Sequence, residues 1–486
     1  MARKTRVGLL TIGDGRDFLK ENLDPVNFQF QYKVKSTLER EGFEVISGEK
    51  VIDSNSIAVE YGKKMRAEDV DVVVINYSVW AWPSYARMAA QFCPQPVVMF
   101  ANYYEDKPGL VGMLAGCGSL MQADVPYFKL YGNIEDTEIL NKLKAYINGV
   151  SAFNRLKGMT YVGVGGRSIN IDTTVADPAL WMKMFGIDVD SVDQMELVRR
   201  AEIIQKDRPE LLESALKYLE TNTKGFKWLE PRSDSSFSLT RESALKAISL
   251  YYGMIDIISE FKYDFCGIKG QRELTEHYVT SDIAEAFLND YYGPDGTPHD
   301  PIACATEADM DAALTMKIFN LITGQPALFA DIRNYYKDKD FWDLCNSGTH
   351  ATYFAGKSRE PEVNLANVEF RPEGDYYLAG GPSVYHIAKP GKVTLARLTR
   401  VGTHNYRMVV MSGEFFSMGA EKDEEYASKC QNNWPHAFAR MNHSINAFIE
   451  NVNCNHIHGT YGDWVEDLKA FCYAAKIEFV LLDGKQ

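Results

Sequence analysis

Short β-rich runs alternate with helical spacing over the first third of the chain, and this order restricts the fold more than any other feature. RVGLLTI, FEVIS, VDVVVINYS, QPVVMFAN and PYFKLYG are apolar runs of strand length, and YKVKSTLEREG and PSYARMAAQF between them carry a helical period. Strands separated by helices line up as a parallel sheet with helices on its faces. TEILNKLKAYINGVSAFNRLKG reads as a long amphipathic helix that closes the unit. A first α/β domain over residues 1–153 follows.

A second alternation begins at MTYVGVGGRSINI, a buried strand running into a polar loop. DPALWMKMFGI, PELLESALKYLETN and TRESALKAISLYYGMIDIISEFK have helical spacing. YDFCGIKGQ reads as strand, EADMDAALTMKIFNLITG as helix and QPALFADI as strand. These make a second α/β domain over 154–345. Beyond it, NVEFRPEGDYYLAGG and KVTLARLTRVGTHNYRMVVMSGEFFS alternate between Gly and Pro breaks, as antiparallel strands of a barrel or sandwich do. A helix, DWVEDLKAFCYAAK, and a strand, IEFVLLD, finish this third region, 346–486. The expected fold class is α/β: two Rossmann-like domains followed by a C-terminal antiparallel β-barrel-like domain. A chain of 486 residues is too long for one core.

Composition excludes several functions. A net charge of −14 argues against nonspecific nucleic-acid binding, which needs Lys and Arg against phosphate. No apolar run is long enough to span a membrane. The start, MARKTRVGLLTIGDGRDF, meets Asp14, Arg16 and Asp17 at once and reads as a buried strand rather than a signal peptide. The 8 cysteines are scattered with no CxxC pair, so a reduced cytoplasmic chain is expected. GVGGRS has Ser168 where a dinucleotide fingerprint needs its last Gly, and that cofactor is rejected.

Chemistry concentrates in ATEADMDAALTMKIFNLITGQPALFADIR. If the helix starts near Thr306, Glu307 and Asp311 share a face one turn apart, and Asp309 points elsewhere. N-terminal acids can equally serve the helix dipole alone. Asp331 stands at the carboxyl end of an apolar strand, where open α/β sheets bind ligands, or simply starts a loop. Near the C-terminus, NVNCNHIHGTYGDW carries His456 and His458, which share a face if that segment is extended. Carboxylates with an imidazole suit Mn²⁺, Mg²⁺ or Zn²⁺ and leave positions open for substrate.

These three segments together resemble the L-fucose/L-arabinose isomerase superfamily, on the L-fucose isomerase branch. TEAD with Glu307, LITGQPALFADIR with Asp331 and NHIHGTYGD with His456 carry the likeness. TIGDGR, WAWPS, GVGGRS, GQRE, KVTLARL and NWPHAF extend it over most of the chain. The resemblance implies Mn²⁺, with Mg²⁺ or another divalent ion as substitute, held by Glu307, Asp331 and His456. It casts Glu307 and Asp331 as the catalytic carboxylates. It also implies a homo-oligomer, a hexamer with trimer and dimer as smaller alternatives, in which the first domain of a neighbour covers the site. Trp80, and with it Trp82, would form that cover. Arg16, Lys269, Gln271 and Trp434 would touch the sugar.

Two departures bear on substrate. Ile169 and Asn170 stand where the fucose enzyme has Met-Gly, and Lys269 stands where it has Gln; both positions would face the sugar. Lys269 could meet a sulfonate or carboxylate on C6, or only pair with a nearby acid. The expected function is a metal-dependent aldose–ketose isomerase on a pentose or hexose, by proton transfer through an enediolate. The aldose would be L-fucose-like, D-arabinose-like or 6-substituted, for example 6-sulfo. The alternatives are a noncatalytic sugar-binding protein, or a metal-dependent hydrolase or aldolase on the same ligands. Asp309→Asn is expected to be mild unless Asp309 orients one of the metal ligands.

Overall fold

Five of the expected strands pair in parallel: β1 (Arg6–Ile12), β2 (Glu44–Ser47), β3 (Val72–Tyr77), β4 (Val97–Asn102) and β5 (Tyr127–Gly132), in the order β2-β1-β3-β4-β5. Every residue of β3 and β4 is buried. That explains why these runs are continuously apolar rather than alternating: helices cover both faces of the sheet. The computed structural model describes residues 3–232, 236–347 and 349–484. It divides into two compact units, of which this sheet belongs to the one made of residues up to Lys157 together with Glu466–Lys476. The helix Thr137–Leu156 carries Gly149 where a side chain would collide: a Cβ there would lie 2.5 Å from the Asp467 carbonyl oxygen and 2.6 Å from the Phe471 nitrogen. The glycine lets the helix Val465–Ala475 approach backbone to backbone.

The other unit, Gly158–Val465 with the segment from Ile477 onward, holds three sheets. β6 (Thr160–Val164), β7 (Asp188–Val192), β8 (Phe265–Ile268) and β9 (Cys304–Thr306) form a second parallel sheet, in the order β7-β6-β8-β9. β10 (Leu328–Tyr336) and β11 (Phe341–Cys345) open the larger mixed sheet. β12 (Glu369–Pro372) and β13 (Pro382–Tyr385) make a separate antiparallel pair. β14 (Gly391–Val401), β15 (Asn405–Phe415), β16 (His436–Met441), β17 (His456–Tyr461) and β18 (Glu478–Leu481) complete the mixed sheet, in the order β14-β17-β10-β11-β16-β15-β18. β14 pairs with β15 as well as with β17. The sheet is mixed rather than purely antiparallel because β18 runs parallel to β15.

One expectation changes here. QPALFADI does not extend the parallel sheet; as β10 it pairs antiparallel with β11 and β17. Asp331 lies inside this strand, which continues to Tyr336, and not at its carboxyl end. Apolar length alone cannot tell a buried parallel strand from a buried antiparallel one.

The parallel sheet sets the other side of the site. β6, β8 and β9 run the same way, so the loops after Val164, Ile268 and Thr306 leave one edge together. These loops begin with Gly165, Lys269 and Glu307. Among the described residues, no helix is long and apolar enough to cross a membrane.

Candidate active site

Glu307 sits where β9 ends and a helix begins, in a backbone state that few non-glycine residues adopt. Its φ is 57° and that of Ala308 is 49°, two consecutive left-handed residues. Each costs about 1–2 kcal/mol for an L-residue. The surroundings hold the turn: Ala308 N–H donates to the Ile268 carbonyl at 2.9 Å, and Asp309 N–H to the Thr306 carbonyl at 3.1 Å. Gly267 on β8 makes room for it, since a Cβ there would lie 2.9 Å from Ala308 Cα and 2.5 Å from Tyr161 Oη. Gly267→Ala is therefore expected to displace Glu307 and cut activity about tenfold or more, because small misplacements of reacting groups are costly. Steady-state kinetics alongside a denaturation curve would separate this from simple unfolding.

The helix runs Met310–Thr323, later than the sequence suggested, and Asp309 is its N-cap, accepting from Ala312 N–H at 2.9 Å. Glu307 therefore lies outside the helix and shares no helical face with Asp311. Asp311 accepts from Tyr406 Oη at 2.9 Å and Trp181 Nε1 at 3.4 Å, and burial pushes its carboxyl up to about 6. Asp309, expected to point elsewhere, faces the histidine instead.

Asp331 and His456 are direct cross-strand partners in the β10–β17 ladder, so their side chains leave the sheet on one face. His456 Nε2 lies 3.0 Å from Glu307 Oε2 and 3.3 Å from Asp331 Oδ1. Its other nitrogen, Nδ1, donates to Asp309 Oδ2 at 2.6 Å. Asp309 is gripped in turn by Arg397 on β14, through Nη1 at 2.8 Å and Nη2 at 3.1 Å. Arg397 Nη1 also donates to His458 Nε2 at 3.1 Å, and Nη2 to the Thr173 carbonyl at 3.2 Å. Asp309, Arg397, His456 and His458 are all buried. Burial pulls the Asp309 carboxyl upward, but Arg397 and His456 outweigh it and hold the group well below the usual carboxylate range. Burial, then the Arg397 charge, keeps His458 neutral, fit to accept from the guanidinium.

His456 Nε2 and Glu307 Oε2 are buried, face each other and have no hydrogen-bond partner among the described residues. Burial disfavours charge on the imidazole, but Asp309, Asp331 and Glu307 hold it well above the usual histidine range. Positive charge is favoured at this point, and Nε2 with the two carboxylates offers donor types that a divalent cation could take. Beside this point, donor atoms of Asp309, Cys454 and His456 lie within 4.8 Å of one another. That grouping suits a cation less well, because both Asp309 oxygens already serve Arg397 and the imidazole N–H. Asp343, Cys345 and His436 form a second such grouping, but both nitrogens of His436 are engaged, with Asp343 and the Gln431 carbonyl at 2.8 Å each.

Glu307 and Asp331 open into a cavity of about 340 Å³ lined also by Ile169, Lys269, Gln271 and Trp434. Lys269 pairs with Glu273 at 2.7 Å, the plainer of its two expected roles. Gln271 Nε2 donates to Tyr377 Oη at 3.2 Å. Trp434 Nε1 donates to Glu373 at 3.0 Å, and the Arg333 guanidinium lies 4.7 Å from the Trp434 ring centre. Asn170 has a left-handed backbone and accepts from Arg167 at 3.1 Å; it is not part of the cavity wall. Arg16 and Trp80 belong to the other unit, in loops after β1 and β3. There Arg16 pairs with the buried Asp14 at 2.6 Å. Sequence reasoning missed Arg397, Arg333, Tyr377, Asp282 and Asn455 as site residues. A signal existed for Arg397, a charge at an inward position of the alternating KVTLARL, and for Asn455, the immediate neighbour of His456.

A polar cavity lined by two carboxylates, with an oriented histidine buried against them, suits an enzyme for a small polar substrate. The family descriptions "L-fucose isomerase, first N-terminal domain", "second N-terminal domain" and "C-terminal domain" match residues 4–158, then 159–259 and 261–324, and 344–482. The L-fucose isomerases of Citrobacter koseri and Salmonella typhimurium are each 23% identical over 435 residues, covering 77% of this chain and 72% of the relative. The chain belongs to the L-fucose isomerase family, whose members are aldose–ketose isomerases, that is, intramolecular oxidoreductases. This sets it with isomerases rather than with sugar receptors, hydrolases or aldolases.

Proposed function

We propose that this protein is a divalent-metal-dependent isomerase of a pentose or hexose aldose, L-fucose-like or D-arabinose-like, with Mn²⁺ as the preferred ion. The observation that carries the proposal is the approach of Glu307 and Asp331, which line a sugar-sized cavity, to within 3.0 and 3.3 Å of His456 Nε2. A divalent cation held by these three residues would supply Lewis-acid stabilisation for the charge that develops on the two reacting oxygens. Glu307 and Asp331 flank the reacting carbons, and one takes the carbon proton while the other serves the oxygens. His456 holds its place because Asp309 fixes the Nδ1–H tautomer, and Arg397 fixes Asp309. Trp434 and Gln271 position the rest of the sugar.

Three functional regions, 1–153, 154–345 and 346–486, fit this assignment. The double pairing of β14, with β15 and with β17, favours a closed, barrel-like third region. By the same family likeness we propose a cytoplasmic homo-oligomer, a hexamer, in which Arg16 and Trp80 are supplied from a neighbouring subunit. Mass measurement in solution tests the assembly.

The test of function is an NMR screen of aldoses with the chelator-stripped protein, before and after Mn²⁺ is restored. The matching ketose is expected only after restoration, with at least about a hundredfold difference in rate. Equal turnover by the stripped protein, or cleavage of the sugar, would sink the proposal.

A further inference from the structure

Arg333 lines the same cavity as Glu307 and Asp331, and the proposed chemistry gives it no task. Two Arg–Asp pairs meet at this site, and they are built differently. Arg397 is 1% exposed and grips Asp309 with two nitrogens, at 2.8 and 3.1 Å. Arg333 makes one contact with Asp331, Nη1 to Oδ2 at 3.4 Å, and its side chain is 27% exposed. A charged Arg–carboxylate hydrogen bond is normally about 2.7–2.9 Å long and often double. Arg397 is thus fully engaged by its carboxylate, while Arg333 is held loosely at the cavity wall.

The backbone explains where Arg333 stands. Asp331 and Ile332 pair with Cys345 and Leu344 of β11, but the next residue of β11, Asp343, pairs with Asn334. Arg333 is the extra residue of a β-bulge. On the other side of the strand, the pairing of β10 with β17 has already ended at Asp331. A bulged residue is released from the ladder and its side chain is re-aimed, a device common beside active sites. The guanidinium then rests 4.7 Å from the centre of the Trp434 ring, which is itself fixed through Nε1 to Glu373 at 3.0 Å. A cation laid on an aromatic face is attracted without using its hydrogen-bond donors. The guanidinium has five N–H donors in a fixed fork, and the long contact with Asp331 uses one of them.

In the proposed reaction a carboxylate takes the proton from C2 of the aldose. The electron pair left behind forms the C1–C2 double bond, and the carbonyl pair moves to O1 as negative charge. The proton then returns at C1, and the O2 proton passes to O1. We propose that Arg333 is a further catalytic residue, whose guanidinium donates hydrogen bonds to the oxyanion of this intermediate. This rests on the isomerase reading and adds to it a cation supplied by the protein itself. A carboxylate that shares its charge with a divalent ion attracts Arg333 less, so a loaded site leaves the guanidinium freer for the sugar.

The experiment uses the full-length protein and its Arg333→Met and Arg333→Lys variants, each saturated with Mn²⁺. kcat and KM are measured on a 6-deoxyhexose. Calorimetry measures binding of two unreactive relatives of that sugar, the neutral alditol and the aldonohydroxamate, whose ionised form carries the charge of the intermediate. Arg333→Met is expected to lower kcat about a hundredfold, as loss of one oxyanion donor does, with KM and alditol affinity changed less than about threefold. Hydroxamate affinity is expected to fall at least about tenfold, and Arg333→Lys to recover about tenfold of the lost kcat. A kcat for Arg333→Met within about threefold of the wild type would overturn the proposal. So would equal losses for alditol and hydroxamate, which would make Arg333 a prop for Trp434, or a lysine variant no better than the methionine one. If the wild type isomerises no aldose, the isomerase reading fails; a hydroxamate bound no better by the wild type than by Arg333→Met then overturns the role of Arg333 as well, and a selective loss upholds it as an anion-binding residue.

Discussion

Glu307→Gln and Asp331→Asn are each expected to lower aldose isomerisation by at least about a thousandfold while leaving the unfolding midpoint almost unchanged. The reason for the first half is chemical. An amide is a poor ligand for a hard divalent ion and cannot take a proton at neutral pH, so under the proposed function each substitution would remove a ligand and a base together. The reason for the second half is electrostatic. Three carboxylates, Glu307, Asp309 and Asp331, crowd one buried imidazole. Removing one charge relieves repulsion in the metal-free protein, so the fold does not suffer. Rates of ketose formation and a urea denaturation curve on each purified variant check both halves. Normal activity in either would remove it from the chemistry.

Asp309→Asn is expected to behave differently, losing stability as well as activity. The side chain is smaller in consequence if read only as a helix cap, a role Asn can fill. Its second role decides the outcome. Arg397 is 1% exposed and its ion pair is with Asp309. A guanidinium buried without its counter-charge costs about 3–5 kcal/mol. The loosened hold on His456 should also weaken Mn²⁺ binding about 10- to 100-fold. Combining Asp309→Asn with Arg397→Met should recover much of the stability, because the stranded charge is gone, but not the metal affinity. Denaturation midpoints and metal titrations of the three variants test this. A single mutant as stable as the wild type would show that Arg397 does not depend on Asp309.

These two cases mark what the sequence could and could not reveal. The strands of the first parallel sheet were legible, because apolar runs are local, and so were β6 and β8 of the second; β7 and β9, the latter three residues long, were not. Glu307, Asp331 and His456 were legible as a set only through resemblance. Their convergence depends on the antiparallel pairing of β10 with β17, a contact between residues more than a hundred positions apart. The wrong sheet for QPALFADI has the same origin. The misplaced start of the helix at Met310 arose because Glu307 and Ala308 are left-handed, a state no local pattern of non-glycine residues announces. The roles of Asp309 and Arg397 were hidden because each lies in a segment that makes ordinary sense alone, one as a helix cap and the other in an alternating strand.

The most direct test is diffraction from Mn²⁺-soaked crystals with anomalous scattering measured at the manganese edge. The predicted result is one strong peak per protomer, about 2.0–2.3 Å from His456 Nε2 and from oxygens of Glu307 and Asp331. A peak among Asp343, Cys345 and His436 instead, or no peak between the three residues at saturating Mn²⁺, would contradict the account.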